Sequence, residues 1–171
     1  MSSLSFSFCP HCAARLENRE IDGRSRLACA ACDYVNWNNP TPVVAGLVQL
    51  IDQNSQGEIY VLARNAAWPT GMFSLITGFL EAGEQPEQAI AREAQEELGV
   101  HCREARFLGH FALPRFNQLI IAYHLSATGP LAPGAEIAET RLLGREALAA
   151  YDFGQLELTT HIVATALAKD A

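Results

Sequence analysis

Residues 92–99 read REAQEELG and place Glu93, Glu96 and Glu97 within one helical turn, with no lysine between them. Like charges at i, i+4 cost a helix about a few tenths of a kcal/mol per pair, so something must reward the arrangement. Carboxylates at that spacing have roots about 5–6 Å apart, and oxygen ligands meet magnesium at about 2.1 Å. Glu93 and Glu97 therefore have the reach to share a cluster of divalent cations. Two such ions about 4 Å apart clamp the attacking and leaving oxygens of a phosphoryl displacement. Arg92 reads instead as a structural partner, holding Glu84 or another glutamate of the run.

The second chemical pattern is CPHC at Cys9 and Cys12, followed by CAAC at Cys29 and Cys32. Sixteen residues separate the two knuckles, a spacing that suits four thiolates around tetrahedral zinc. His11 is a substitute ligand only if a cysteine fails, and Cys102 reads as a small core or strand residue. Residues 1–38 carry four arginines (Arg15, Arg19, Arg24, Arg26) against four acids (Glu17, Glu20, Asp22, Asp33). A neutral ribbon lacks the basic stripe of a phosphate-tracking module, so no nucleic acid is expected. Its role reads as structural, with zinc replacing a core so few residues cannot build.

The elements that must position these groups follow from the remaining pattern. A chain of 171 residues, 49% hydrophobic, holds one sizeable core or one core plus a satellite. The net charge of −7 disfavours a nonspecific grip on phosphates or anionic lipid. No run of about 18 apolar residues or basic leader is present, which predicts a cytoplasmic protein with no membrane partner. After NWNNPTP, the runs 43–51 and 58–64 read as strands joined by DQNSQG into a hairpin. Segment 71–85 is Gly-rich loop with short strand pieces. Pro86 opens a helix whose apolar side is Ile90, Ala94 and Leu98, and Gly99 closes it. Residues 104–112, 118–126 and 137–143 read as further strands, and 155–168 as a closing helix. A mixed sheet with few helices makes this an α/β sandwich.

Read backwards from the acidic helix, Gly78 is followed after five residues by Glu84, and after seven more by Arg92-Glu93, then Glu96-Glu97 and Gly99. This resembles the Nudix box, with every fixed position filled. Seven such positions coincide by chance roughly once in 10^8 windows on ordinary composition. The resemblance implies a Nudix α/β/α sandwich over residues 39–171, preceded by a small zinc ribbon over 1–38. It also implies that Glu93, Glu97 and Glu96 hold Mg2+ or Mn2+ together with the Thr77 carbonyl, while Glu84 orients that shell. A further carboxylate is expected from AEIAET, where Glu136 is favoured over Glu139. Glu93 and Glu136 both stand as candidates for the general base.

A four-cysteine ribbon before a Nudix domain is similar to the NADH, FAD and ADP-ribose pyrophosphatase group. The Ser-Gln-Pro-Trp element of the NADH members is replaced here by His110, Phe111, Ala112 and Leu113. ALPRFNQ and LAPGAEIAETRLL are similar to the FAD and ADP-ribose members. That resemblance implies a small nucleotide substrate, cleaved to a nucleoside monophosphate and a phosphorylated remainder. Arg115 and Phe116 are then candidates for phosphate contact and base stacking, and Arg64 for a second phosphate contact. The resemblance also admits a homodimer. Alternative readings are an NADH or nucleoside-triphosphate pyrophosphatase, and a non-catalytic ligand sensor or nucleic-acid-binding ribbon protein.

Overall fold

The computed structural model describes residues 6–51 and 58–169. The DQNSQG connection, 52–57, lies outside the described residues. The chain forms two compact units, Met1–Pro40 and Thr41–Ala171.

In the first unit, β1 (Leu16–Ile21) and β2 (Arg24–Cys29) pair antiparallel, and β3 (Val35–Asn36) adds to β2. Asp22 and Gly23 both take left-handed backbone, φ 52° and 71°, which matches a two-residue turn to the twist of the strands. The buried cluster is small: Cys9, Leu16 and Cys29, flanked by Ala14, Leu27, Cys32 and Tyr34. So little apolar surface leaves the unit dependent on another constraint.

The second unit is built on a six-stranded sheet. It comprises β4 (Thr41–Leu50), β5 (Ile59–Asn65), β6 (Ile76–Phe79), β7 (His101–Leu113), β8 (Gln118–Thr128) and β9 (Ile137–Gly144). The order is β7-β8-β4-β5-β9, with β6 pairing β4 as well. The expected hairpin exists, Val48 opposing Val61, but β4 pairs over its whole length with β8, in parallel from Thr41↔Gln118 to Leu50↔Ala127. Both strands are apolar runs buried on two faces, as parallel pairing requires.

Helix α1 (Pro86–Leu98) covers one face, packing Ile90, Ala94 and Leu98 against Val44, Val48 and Leu125. Full burial of Ile90 and of Leu98 contributes about 2 kcal/mol each. On the other face, α2 (Arg145–Ala149) supplies Leu148 and α3 (Glu157–Lys169) supplies Ile162, Val163 and Ala166. The result is an α/β/α sandwich. The five-residue α2 carries too little periodicity to be seen in sequence.

The local signals at α1 explain its ends. Pro86 occupies the first turn, and the Gln85 amide donates to the Gln88 side chain at 3.1 Å in a reciprocal capping box. Gly99 terminates the helix at φ 72°. Tyr123 of β8 donates to Glu87 at 2.9 Å, anchoring the helix start to the sheet.

Candidate active site

Arg92 is the hub of the acidic helix. Its Nε and Nη2 donate to the two carboxylate oxygens of Glu84 at 3.0 and 3.1 Å. Nη1 donates to Glu93 at 2.7 Å and to Glu96 at 3.1 Å, and Nη2 also reaches the Phe79 carbonyl at 3.3 Å. One planar guanidinium thus ties three glutamates and β6 into a fixed array, which a lysine ammonium does not reproduce. The fork to Arg92 pulls the Glu84 carboxyl below its usual value, and the guanidinium binds its proton more tightly in return.

Strand β6 lies directly over Glu93. A Cβ at position 78 would overlap the Glu93 carboxyl, so the first residue of the box must be glycine for that carboxylate to sit where it does. Burial pushes the Glu93 carboxyl up despite the opposing pull of Arg92.

Glu97 lies one helical turn beyond Glu93 and is not among the carboxylates that Arg92 holds. It lines a cavity of about 90 Å3 together with Thr77, Glu136, Ala63, Asn65, Trp68, Leu75 and Ile137. Burial first, then the charges of Glu93, Glu136 and Glu96, push its carboxyl up to about 7. That volume is far below what encloses a nucleotide. It is room for water or cations beside the carboxylates.

Glu136 reaches this cavity because the segment before β9 docks on the end of α1. The Ala132 and Gly134 amides donate to the Leu98 and Glu97 carbonyls at 2.8 and 2.9 Å, satisfying acceptors left open at a helix C-terminus. A Cβ on Gly134 would collide with the Glu96 carbonyl. The Glu136 carbonyl then accepts from the Ala66 amide at 2.8 Å. Glu139, two register steps on, does not join the cluster: it pairs with Arg64 at 3.0 Å across β5 and β9.

Arg64 is correspondingly committed. Its side chain is 11% exposed, and its other terminal nitrogen donates to the Trp68 carbonyl at 3.1 Å, so its guanidinium braces the cavity wall. Arg115 and Phe116 are exposed on a 3-10 turn, Pro114–Phe116, between β7 and β8, with the guanidinium 4.4 Å over the ring. They are not among the residues lining the cavity. Trp68 and Asn65 do line it and were not singled out from sequence; the signal was a tryptophan-proline pair in the loop NAAWPT.

The donors at this cavity are hard carboxylate oxygens, the kind that suits magnesium or manganese, and the charge of Glu136 is among those that raise the Glu97 carboxyl. Among the described residues, the four cysteines are the group whose ligating atoms already lie close enough to hold one ion.

The four cysteines fit zinc by geometry. Their sulfurs lie within 4.8 Å of one another, with Cys9–Cys32 and Cys12–Cys29 at 3.5 Å and Cys12–Cys32 at 3.7 Å. Metal–sulfur bonds of about 2.3 Å give tetrahedral edges of about 3.8 Å. The His11 and Ala31 amides donate to Cys9 and Cys29 at 3.4 and 3.3 Å, and the Ala31 bond is the main influence lowering the Cys29 thiol to about 7. His11 contributes its amide, while its ring packs edge-on to Tyr34.

Fold and site define the class, an α/β/α sandwich with a glutamate cluster on one helix. The family model described as NUDIX domain matches residues 40–161, and the chain belongs to the Nudix hydrolase family. It is 50% identical over 64 residues to the NAD-capped RNA hydrolase NudC of Mycobacterium tuberculosis, covering 37% of this chain and 20% of that protein. To NudC of Pseudomonas aeruginosa it is 27% identical over 164 residues, covering 95% of this chain and 56% of the relative. The chain thus spans about half the length, or less, of these curated relatives. A NUDIX hydrolase from Nitrosomonas europaea superimposes with a TM-score of 0.78 at 22% identity, over 96% of this chain and 92% of that one, a likeness of fold. No helix among the described residues is long and apolar enough to cross a membrane.

Proposed function

We propose that the chain is a metal-dependent pyrophosphohydrolase that cleaves a nucleoside diphosphate linked to another moiety, with FAD or ADP-ribose type substrates favoured. The observation that supports this reading is the carboxylate cluster of α1: Arg92 holds Glu84, Glu93 and Glu96, while Glu97, raised in part by the charges of Glu93 and Glu136, lines the Thr77 cavity with Glu136. Glu93, Glu97, Glu96, Glu136 and the Thr77 carbonyl would hold Mg2+ or Mn2+. Bound there, the cations supply neutralisation of the pyrophosphate and a more acidic water.

The chain's own residues do the rest. Arg92 and Glu84 keep the cluster in register, and Glu93 or Glu136 takes the proton of the attacking water. Arg115 and Phe116 stand as contacts for phosphate and base, on a turn separate from the cavity. Arg64 acts through the Trp68 wall rather than on phosphate directly. Zinc held by Cys9, Cys12, Cys29 and Cys32 stabilises residues 1–38, and residues 39–171 form the hydrolase domain. Four reduced thiols suit a cytoplasmic setting.

A second reading, hydrolysis of NAD-capped RNA, is favoured by the 50% identical segment shared with the Mycobacterium NudC. The residues His110, Phe111, Ala112 and Leu113 at the end of β7 argue for the first reading, because they replace the element expected of NADH-directed members.

The deciding experiment is a panel of FAD, ADP-ribose, NADH, NAD, dinucleoside polyphosphates, nucleoside triphosphates and a 5′-NAD-capped oligonucleotide, each with magnesium or manganese. Release of a nucleoside monophosphate from FAD or ADP-ribose at the highest kcat/KM supports the proposal. Preference for the capped oligonucleotide selects the second reading, and no turnover of any member overturns both.

A further inference from the structure

We infer that one face of the N-terminal sheet is a docking surface for single-stranded nucleic acid. By residue count this unit is neutral, but the strand register distributes its charges unevenly. Opposed residues of an antiparallel pair share a face, and alternate residues along a strand do so too. Arg19 opposes Arg26, and Ile21 opposes Arg24. Glu17, two residues before Arg19, falls on the same side. Leu27 opposes Asn36 and Ala28 opposes Val35, so the chain carries Trp37 on to the side of Arg26. Within the strands, one face therefore collects Arg19, Arg24 and Arg26, with Trp37 beside them, against the single acid Glu17, while Glu20 lies on the opposite face.

Two features of that face go beyond its charge. Like charges directly across a strand pair are unfavourable, and no ion pair to Arg19 or Arg24 is present among the described residues to offset the Arg19–Arg26 opposition. Trp37 is 47% exposed, an unusual position for an indole ring. Arg26 is pinned to it, its guanidinium 4.7 Å from the ring centroid and its Nη1 donating to the Trp37 carbonyl at 2.9 Å. A fixed aromatic ring flanked by arginines is the combination that binds a single strand: the ring stacks on a base and the arginines follow the phosphates. A duplex, whose bases are already stacked, gains only the charge contact.

The test is fluorescence anisotropy with the full chain, zinc retained, and a labelled uncapped 12-nucleotide RNA. It reads binding without cleavage, so it stands or falls apart from the hydrolytic reading. Wild type should bind, with affinity falling on added salt at a logarithmic slope near −2, as expected of about three phosphate contacts on a single strand. The double variant Arg19→Ala, Arg24→Ala should bind weakly, with its slope reduced by about 1.4. Trp37→Ala should lose roughly fivefold or more at unchanged slope, and Trp37→Phe should retain most of the affinity. Arg103→Ala, in the other unit, should bind as wild type. Zinc content and melting temperature identify any variant that misfolds; for such a case Arg24→Ala alone gives the charge readout. Absence of wild-type binding at low salt overturns the inference, as does a double variant that binds equally well. So does equal affinity for duplex RNA with no loss in Trp37→Ala, which would make the face a general polyanion contact.

Discussion

Gly78 and Glu93 occupy complementary space: the hydrogen at position 78 leaves room for a carboxyl that any Cβ would displace. The overlap runs from the Glu93 carboxyl back to its Cγ, so the side chain must leave the place where Arg92 holds it. Gly78→Ala should therefore lower the melting temperature moderately, through the lost pairing, and lose on the order of 10^2-fold in kcat per folded molecule, as if a carboxylate had been removed. A large fall in stability with activity per folded molecule intact would contradict this coupling.

Removing the acids themselves should damage the transition state more than ground-state binding. Glu93→Gln and Glu97→Gln should each lower kcat and kcat/KM together by about 10^2-fold or more. Glu136→Gln should follow, and Glu139→Gln should be milder because its partner is Arg64 rather than the cavity. Arg115→Ala should raise KM with little change in kcat, since a phosphate is charged before the reaction begins. Equal turnover by Glu97→Gln and wild type at saturating magnesium would remove the cluster from the chemistry.

The raised value of Glu97 gives a pH dependence with a defined sign. The carboxyl titrates at about 7 in the folded chain against an ordinary 4.5. Between those values the folded state keeps a proton that the unfolded chain has released, so this group's contribution to stability is full below about pH 4.5 and is lost as pH rises through about 7. Magnesium-free melting temperatures should show that decline. Added magnesium or manganese should raise the curve most at the alkaline end, where the charge needs a partner, and Glu97→Gln should flatten both effects.

Arg92→Lys tests the fork. An ammonium can meet one carboxylate but cannot span Glu84, Glu93 and Glu96 at once. The variant should be less stable by about 1–2 kcal/mol and should lose kcat, because the glutamates are no longer held in register. Thermal unfolding and steady-state kinetics on the same preparation check both parts; retention of both would make Arg92 a surface residue.

For the sulfur site, the expected content is about one zinc per chain. Cys29→Ser should lose the metal and unfold the first unit, whose few buried side chains cannot hold it unaided. Elemental analysis with circular dichroism decides this, and a zinc-free wild type purified without chelator would count against the site.

The sequence by itself determined what depends on short-range spacing. The i, i+4 glutamates, the Pro86 and Gly99 boundaries of α1, the paired cysteines and most strands are each written within a few residues, because turn geometry and the helical period act locally. Tertiary structure alone decided the long-range pairings. β4 lies parallel to β8, some seventy positions downstream, and nothing in either apolar run names its partner. The choice of Glu136 over Glu139 for the cavity depends on two backbone hydrogen bonds from the segment before β9 to the end of α1, and on a register that sets Glu139 opposite Arg64. Arg64, a candidate phosphate contact by sequence order, is engaged by Glu139 and the Trp68 carbonyl through the same register. The charge of the first unit shows the limit most clearly: a count of arginines and acids gives zero, and only the pairing of β1, β2 and β3 sorts them onto opposite faces.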